Sequence, residues 1–305
     1  MATQTKIVLL VIALAVLGSV TLRDETRLTQ EFENAAHAPV FGIASLVLLS
    51  TLKADRKKRY LLAWTGAVVI GAALEGLQAV EGRDAEALDV LRDAAGAASF
   101  LLAHWTLQDG SAARRLRWTL RALAAGILLL VFAPPALTGA AIATRYVRFP
   151  LIEDFESLWT RRLCSAGAVR FDVVQAPGGF RKPGGNRVAR ITFEPAEYSG
   201  WGIEGPFPDW SGRRELAFEV YSELSEPVRL TLSIHDRSHN QEYRDRYNRE
   251  FVIQPGITQI RAPLGQVKAA PAGRQIDLAA IDGIGMFIVR PEGSFVLYFD
   301  GFRLE

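Results

Sequence analysis

Five apolar runs in the first half of the chain, each nearly or fully long enough to cross a lipid bilayer, limit what it can fold into. They cover roughly residues 7–22, 38–52, 60–80, 88–107 and 120–146. A bilayer core takes about 20 apolar residues per helix. The third and fifth runs reach that length and the first two fall somewhat short. The fourth is interrupted by Asp89, Arg92 and Asp93. Lys6 ahead of the first run also suits a secretory signal peptide, but no A-x-A cleavage site follows, so a retained helix is the better reading. The expectation is an α-helical membrane bundle of about five transmembrane helices.

The loops give an orientation. "KADRKKR" (53–59) and "ARRLRWTLR" (113–121) are strongly basic, whereas the segments 23–37 and 80–89 are acidic or mixed. The positive-inside rule puts the basic loops in the cytoplasm. Parity then places the N-terminus inside and everything after the fifth helix outside. Pro134 and Pro135 are expected to kink the fifth helix.

From about residue 150 the pattern changes. Alternation of period two appears in "RELAFEVYSE", "PVRLTLSIH", "EFVIQ", "GIGMFIVR" and "SFVLYFDGFRLE", punctuated by Gly, Pro and Asn. Short strands at this spacing predict an all-β jelly-roll sandwich. In "VRLTLSI", Val228, Leu230, Leu232 and Ile234 are expected in the core, with Thr231, Ser233 and His235 facing out. Cys164 is the only cysteine, which excludes an internal disulfide and a cysteine metal cluster. A net charge of +2 gives no reason to expect a nucleic-acid partner.

The polar residues inside the apolar runs are the functional signal. Glu75 and Gln78 share one helix face, and Asp89 and Asp93 share a face of the next helix. At 1.5 Å per residue, Glu75 lies roughly 8 Å from the outer end of its helix, and Asp93 about as far from the start of the next. His37 is expected to open the second helix on the same side, and Arg83 lies in the joining loop. Ionised groups in lipid are costly, so they face the bundle interior or water. Helix glue and a polar pocket open to the outside are both consistent with this pattern. Gly71 and Gly96 are small enough to let helices approach closely.

These residues resemble the VanZ-like family. A histidine opening one helix, then E-x-x-Q (Glu75, Gln78), an arginine (Arg83) and D-x-x-x-N-x-x-G (Asp89, Gly96) match its pattern, with Asp93 in place of the usual asparagine. The resemblance covers about residues 1–110. It implies a multi-pass protein of the bacterial cytoplasmic membrane and a link to low-level glycopeptide resistance, without fixing a chemistry. The domains expected are a VanZ-like bundle (1–110), a basic loop with the fifth helix (111–149), and an extracytoplasmic β-sandwich (150–305).

The segment from "LIEDFES" to "LYFDGFRLE" resembles galactose-binding-like jelly rolls and carbohydrate-binding modules. That resemblance implies a glycan or peptidoglycan-related ligand. Trp201, Trp210, Tyr243 and Tyr247 are the candidate ring platforms. His235, Asp236, His239, Asn240, Arg246 and Asn248 are the candidate polar contacts, most of them from "IHDRSHNQEYRDRYNREF" (234–251). A structural calcium held by Asp300 with Glu153 or Asp154 is a further implication; no other cofactor is expected.

No nucleophile stands beside a base in the sequence, and no metal-ligand spacing or phosphate loop is evident. The favoured reading is a non-enzymatic membrane protein whose partners are membrane lipid and a glycan or another envelope component. The alternative is an intramembrane enzyme or carrier acting on lipid-linked envelope precursors, with Glu75 and Asp89 as acid and base.

Overall fold

The computed structural model describes residues 26–80, 87–108, 113–182 and 186–305. The first apolar run and Arg83 lie outside the described residues. The chain divides into two compact units, Met1–Leu137 and Thr138–Glu305.

Four long helices are described: α1 (Arg27–Thr51), α2 (Arg56–Val80), α3 (Ala87–Gln108) and α4 (Arg114–Arg148). Three of them, α1, α2 and α4, are long and apolar enough to cross a membrane. The charged start of α3 keeps it out of that set, so the fourth run forms its helix without the apolarity of a lone span. Large apolar side chains such as Leu61, Val69, Leu77, Leu129 and Leu130 are exposed. Helices of this kind, apolar on the outside, fit a membrane protein.

One expectation needs correction. His37 does not open its helix, because α1 already begins at Arg27. The Thr26 hydroxyl accepts the Thr29 N–H at 3.3 Å and caps it. The polar stretch that follows holds good helix formers, Gln30, Glu31, Glu33, Ala35 and Ala36, so the helix runs ahead of the apolar run.

Small residues bring the helices together. A Cβ on Gly96 would lie 2.0 Å from the Ala38 carbonyl oxygen, and one on Gly71 would lie 2.2 Å from Asp93 Oδ2. The α1–α3 backbones therefore touch at Gly96, and the Asp93 carboxylate rests directly on α2. Phe41, Ala67 and Ala97 form the buried core beside this contact. The fourth helix continues unbroken through Pro134 and Pro135.

The second unit is a sandwich of two antiparallel sheets. One has the order β3 (Val169–Gln175), β4 (Arg187–Phe193), β11 (Phe295–Leu304), β6 (Glu215–Ser222), β9 (Gly256–Pro263), with β1 (Leu151–Glu153) also pairing β11. The other runs β2 (Cys164–Gly167), β5 (Tyr198–Glu204), β10 (Ile281–Val289), β7 (Val228–Asp236), β8 (Tyr247–Ile253). The expected alternation holds in β7, where Leu230, Leu232 and Ile234 are fully buried and Val228 packs at the core's edge. The two inner faces meet in one apolar core centred on Trp201, Phe218, Phe299 and Phe302. The last turns of α4 belong to this unit. Arg145 donates to the Glu204 and Pro206 carbonyls at 2.5 and 3.2 Å, and the Tyr146 hydroxyl donates to the Phe207 carbonyl at 3.1 Å. The division therefore falls within the fourth helix rather than at residue 150.

Candidate functional site

In the helical unit, residues from three helices converge. His37 comes from α1, Glu75 and Gln78 from α2, and Asp89 and Asp93 from α3. His37 Nδ1 lies 2.9 Å from Asp93 Oδ1. Asp93 Oδ2 is buried and has no hydrogen-bond partner among the described residues. Arg92 pairs with Asp89. Glu75, Asp89 and Asp93 are all buried, at 7%, 9% and 1% exposure. A cavity of about 10 Å³, room for a single water-sized occupant, is lined by His37, Phe41, Gly71, Leu74, Glu75, Gln78 and Asp93. The helical spacings set both polar faces, and the Gly71 contact lets Asp93 reach between α2 and α1.

In the β unit, the candidate region is the outer face of the β2-β5-β10-β7-β8 sheet. Register aligns Gly167 with Gly200 and Phe287, and Ser165 with Gly202, Gly285, Ser233 and Asn248. The missing side chains leave a low floor. The His235 ring lies over Gly283, where an added Cβ would come within 2.2 Å of it. Beside this floor is an open groove of about 280 Å³ lined by Gly167, Tyr198, Gly200, Arg246 and Phe287.

The groove presents aromatic faces and a cation. Tyr198 is 61% exposed, and its ring sits edge-on to Phe287 at 6.1 Å. The Arg246 guanidinium lies 6.0 Å from the Phe287 ring centre and 5.6 Å from that of exposed Tyr243. Arg246 Nε and Asn248 Oδ1 are buried without hydrogen-bond partners among the described residues. Tyr198, Phe287, Gly167 and Gly200 escaped the sequence reading. They come from strands far apart in the chain, and "YSGWGIE" draws attention to its tryptophan instead.

Several expected site residues sit elsewhere. Trp201, Trp210 and Tyr247 are buried in the sandwich core, so their rings are not available to a ligand. They alternate inward on their strands or fill the end of the sandwich, and a large apolar face gains most by burial. Asp236 is also buried, at 1% exposure, and is held by Arg274 Nη1 at 2.7 Å and the Asp277 N–H at 2.8 Å. Arg274 binds Asp245 as well, and Asp245 Oδ2 accepts the Asn240 N–H at 2.9 Å. His239 Nδ1 lies 3.3 Å from the same carboxylate. Asp236, Asp245 and His239 therefore build the loop wall instead of facing a ligand. Arg274 and the Asn240 N–H hold the Asp245 carboxyl well below the usual range. Burial works the other way on Asp236, but Arg274 and the Asp277 N–H outweigh it and lower its pKa too.

Each of the expected calcium carboxylates has partners within the protein. Asp300 Oδ2 takes the Lys182 ammonium at 2.6 Å and the Asn186 amide at 3.0 Å. Asp154 pairs with Arg148. Glu153 Oε1 accepts from the Phe155 N–H at 2.8 Å and the Thr160 hydroxyl at 2.9 Å. Cations of the protein itself neutralise two of the three. Burial pushes the Cys164 thiol far above its ordinary value, which disfavours the thiolate.

No family model and no curated protein matches the chain. The VanZ-like resemblance therefore rests on its motif residues alone. Solved structures are similar to about half of the chain. An exo-β-agarase is 15% identical, with a TM-score of 0.41, over 51% of this chain and 25% of its own. The family 11 carbohydrate-binding module from Clostridium thermocellum, in complex with a β-1,3-1,4-mixed-linked tetrasaccharide, is 15% identical, with a TM-score of 0.39, over 50% and 93%. A second agarase is 18% identical, with a TM-score of 0.39, over 51% and 26%. The chain thus spans about a quarter of either agarase.

Proposed function

We propose that this chain is a membrane-anchored glycan-binding protein of the bacterial envelope. The observation that carries this reading is the open groove in which Tyr198, Phe287 and Arg246 stand over a glycine floor. Sugar rings offer C–H faces that pack on exposed aromatics, and hydroxyls that accept from a guanidinium. A shallow groove with a few placed polar atoms suits a chain of sugars lying across the sheet. In this proposal the helices hold the protein in the cytoplasmic membrane and the sandwich lies outside it, as the basic loops suggest. The VanZ-like motif residues would tie the protein to envelope glycopeptide response. The protein acts here by binding, without turnover.

The test is calorimetry of the full chain in detergent against a panel of β-glucans and peptidoglycan fragments. Binding to at least one is expected, and Tyr198→Ala or Arg246→Ala should each weaken it about tenfold, for about 1–2 kcal/mol lost. No binding across the panel, or binding that ignores both changes, rules the reading out.

A second reading is an intramembrane enzyme or carrier for lipid-linked precursors, favoured by the His37–Asp93 pair, which resembles a base with its orienting carboxylate. It requires that Glu75→Gln lose turnover of such a lipid while glycan binding stays intact.

A further inference from the structure

Three carboxylates and a histidine share one buried spot between α1, α2 and α3. One ligand atom each from His37, Glu75 and Asp89 lies within 4.8 Å of the other two. A zinc ion with bonds of about 2.0–2.2 Å holds its ligands about 3.3 Å apart, so small side-chain rotations would close this set. Two further observations point to an occupant. The cavity among His37, Glu75, Gln78 and Asp93 has room for one small species. Asp93 Oδ2, on a side chain 1% exposed, has no hydrogen-bond partner among the described residues. Glu75, Asp89 and Asp93 are buried together in this spot.

We propose that His37, Glu75 and Asp89 bind one divalent transition-metal ion of the zinc class, with Asp93 as the positioning residue for His37. The Nδ1–Asp93 hydrogen bond fixes the ring and its tautomer. That leaves Nε2 with its lone pair for the metal, the usual arrangement of a carboxylate behind a metal-binding histidine. One nitrogen and two carboxylate oxygens suit zinc, manganese or ferrous iron, and leave a coordination position open. The spacing hid the set, because His37 lies on a different helix from Glu75 and a third helix supplies Asp89. This inference does not depend on the glycan groove, whose residues all lie in the other unit.

The experiment uses the full chain in detergent, purified through a tag without histidine, stripped with a chelator and dialysed against Zn²⁺ or Co²⁺. About one metal ion per chain is expected by elemental analysis, with visible Co²⁺ bands and a raised melting temperature. His37→Ala should lose the ion and the bands, and Asp93→Asn should weaken affinity about 10- to 100-fold with helical circular dichroism unchanged. Wild-type protein that takes up no stoichiometric metal overturns the proposal without reference to any variant. So does a Co²⁺ spectrum that survives both His37→Ala and the near-isosteric Glu75→Gln, because the ion would then be held elsewhere, for instance at His235 and His239.

Discussion

At the scale of single residues, His235 gives the β unit a pH dependence. Its ring lies over Gly283, 5.1 Å from that of His239. Burial, then the neighbouring His239, holds its pKa below 6.5. The fold therefore favours the neutral ring, while the unfolded chain takes up a proton near pH 6.5. Stability is complete above that value and falls as pH drops below it, toward the folded pKa. The melting temperature should be lower at about pH 5.5 than at about pH 7.5. His235→Gln should flatten that difference in scanning calorimetry, and equal slopes in both proteins would dismiss the idea. Arg274 acts at the same scale. Arg274→Ala removes the cation from Asp236, buried at 1% exposure, and should cost about 1–3 kcal/mol in denaturant unfolding. An unchanged midpoint would show that the Asp277 N–H suffices alone. The sequence drew attention to Asp236 and His239 as polar groups in a dense stretch. It could not show that Asp236 pairs with an arginine in "PAGRQID", a segment without pattern of its own, or that His239 meets the Asp245 carboxylate.

At the scale of elements, glycine position decides which helix contacts tolerate a methyl group. A Cβ on Gly96 meets the Ala38 backbone, whereas Gly76 and Gly126 have nothing within 4 Å. Gly96→Ala should destabilise the helical unit by about 1–3 kcal/mol, since backbone cannot step aside as a side chain can. Gly76→Ala should be neutral or slightly stabilising. Thermal melts in detergent read both, and a neutral Gly96→Ala would contradict the close α1–α3 approach. Periodicity made most elements legible. The alternation over 228–234 located β7 and its inward face, and the apolar runs located α2 and α4. It failed at the start of α1, because helix formers and a threonine cap are indifferent to hydropathy. It also failed at Trp201, because an aromatic on a strand looks alike whether it faces a sugar or a core. Only the register of paired strands tells the two apart.

At the scale of the whole molecule, each candidate site draws its residues from one unit. His37, Glu75, Gln78, Asp89 and Asp93 lie in Met1–Leu137; Tyr198, Tyr243, Arg246 and Phe287 lie in Thr138–Glu305. The end of α4 fixes the edge of the second unit. Arg145, at 1% exposure, is bonded to Glu204 and Pro206 and lies 4.5 Å from the centre of the Phe207 ring. A fragment 138–305 should therefore melt higher than a fragment 150–305, and identical melting curves would argue against that edge. This has a consequence for how such proteins arise by gene fusion. A sandwich transplanted at residue 150 would leave behind the stub of helix that plugs its own end. The workable crossover lies further upstream, and a chimera joined near Thr138 would carry that plug with it onto another membrane anchor.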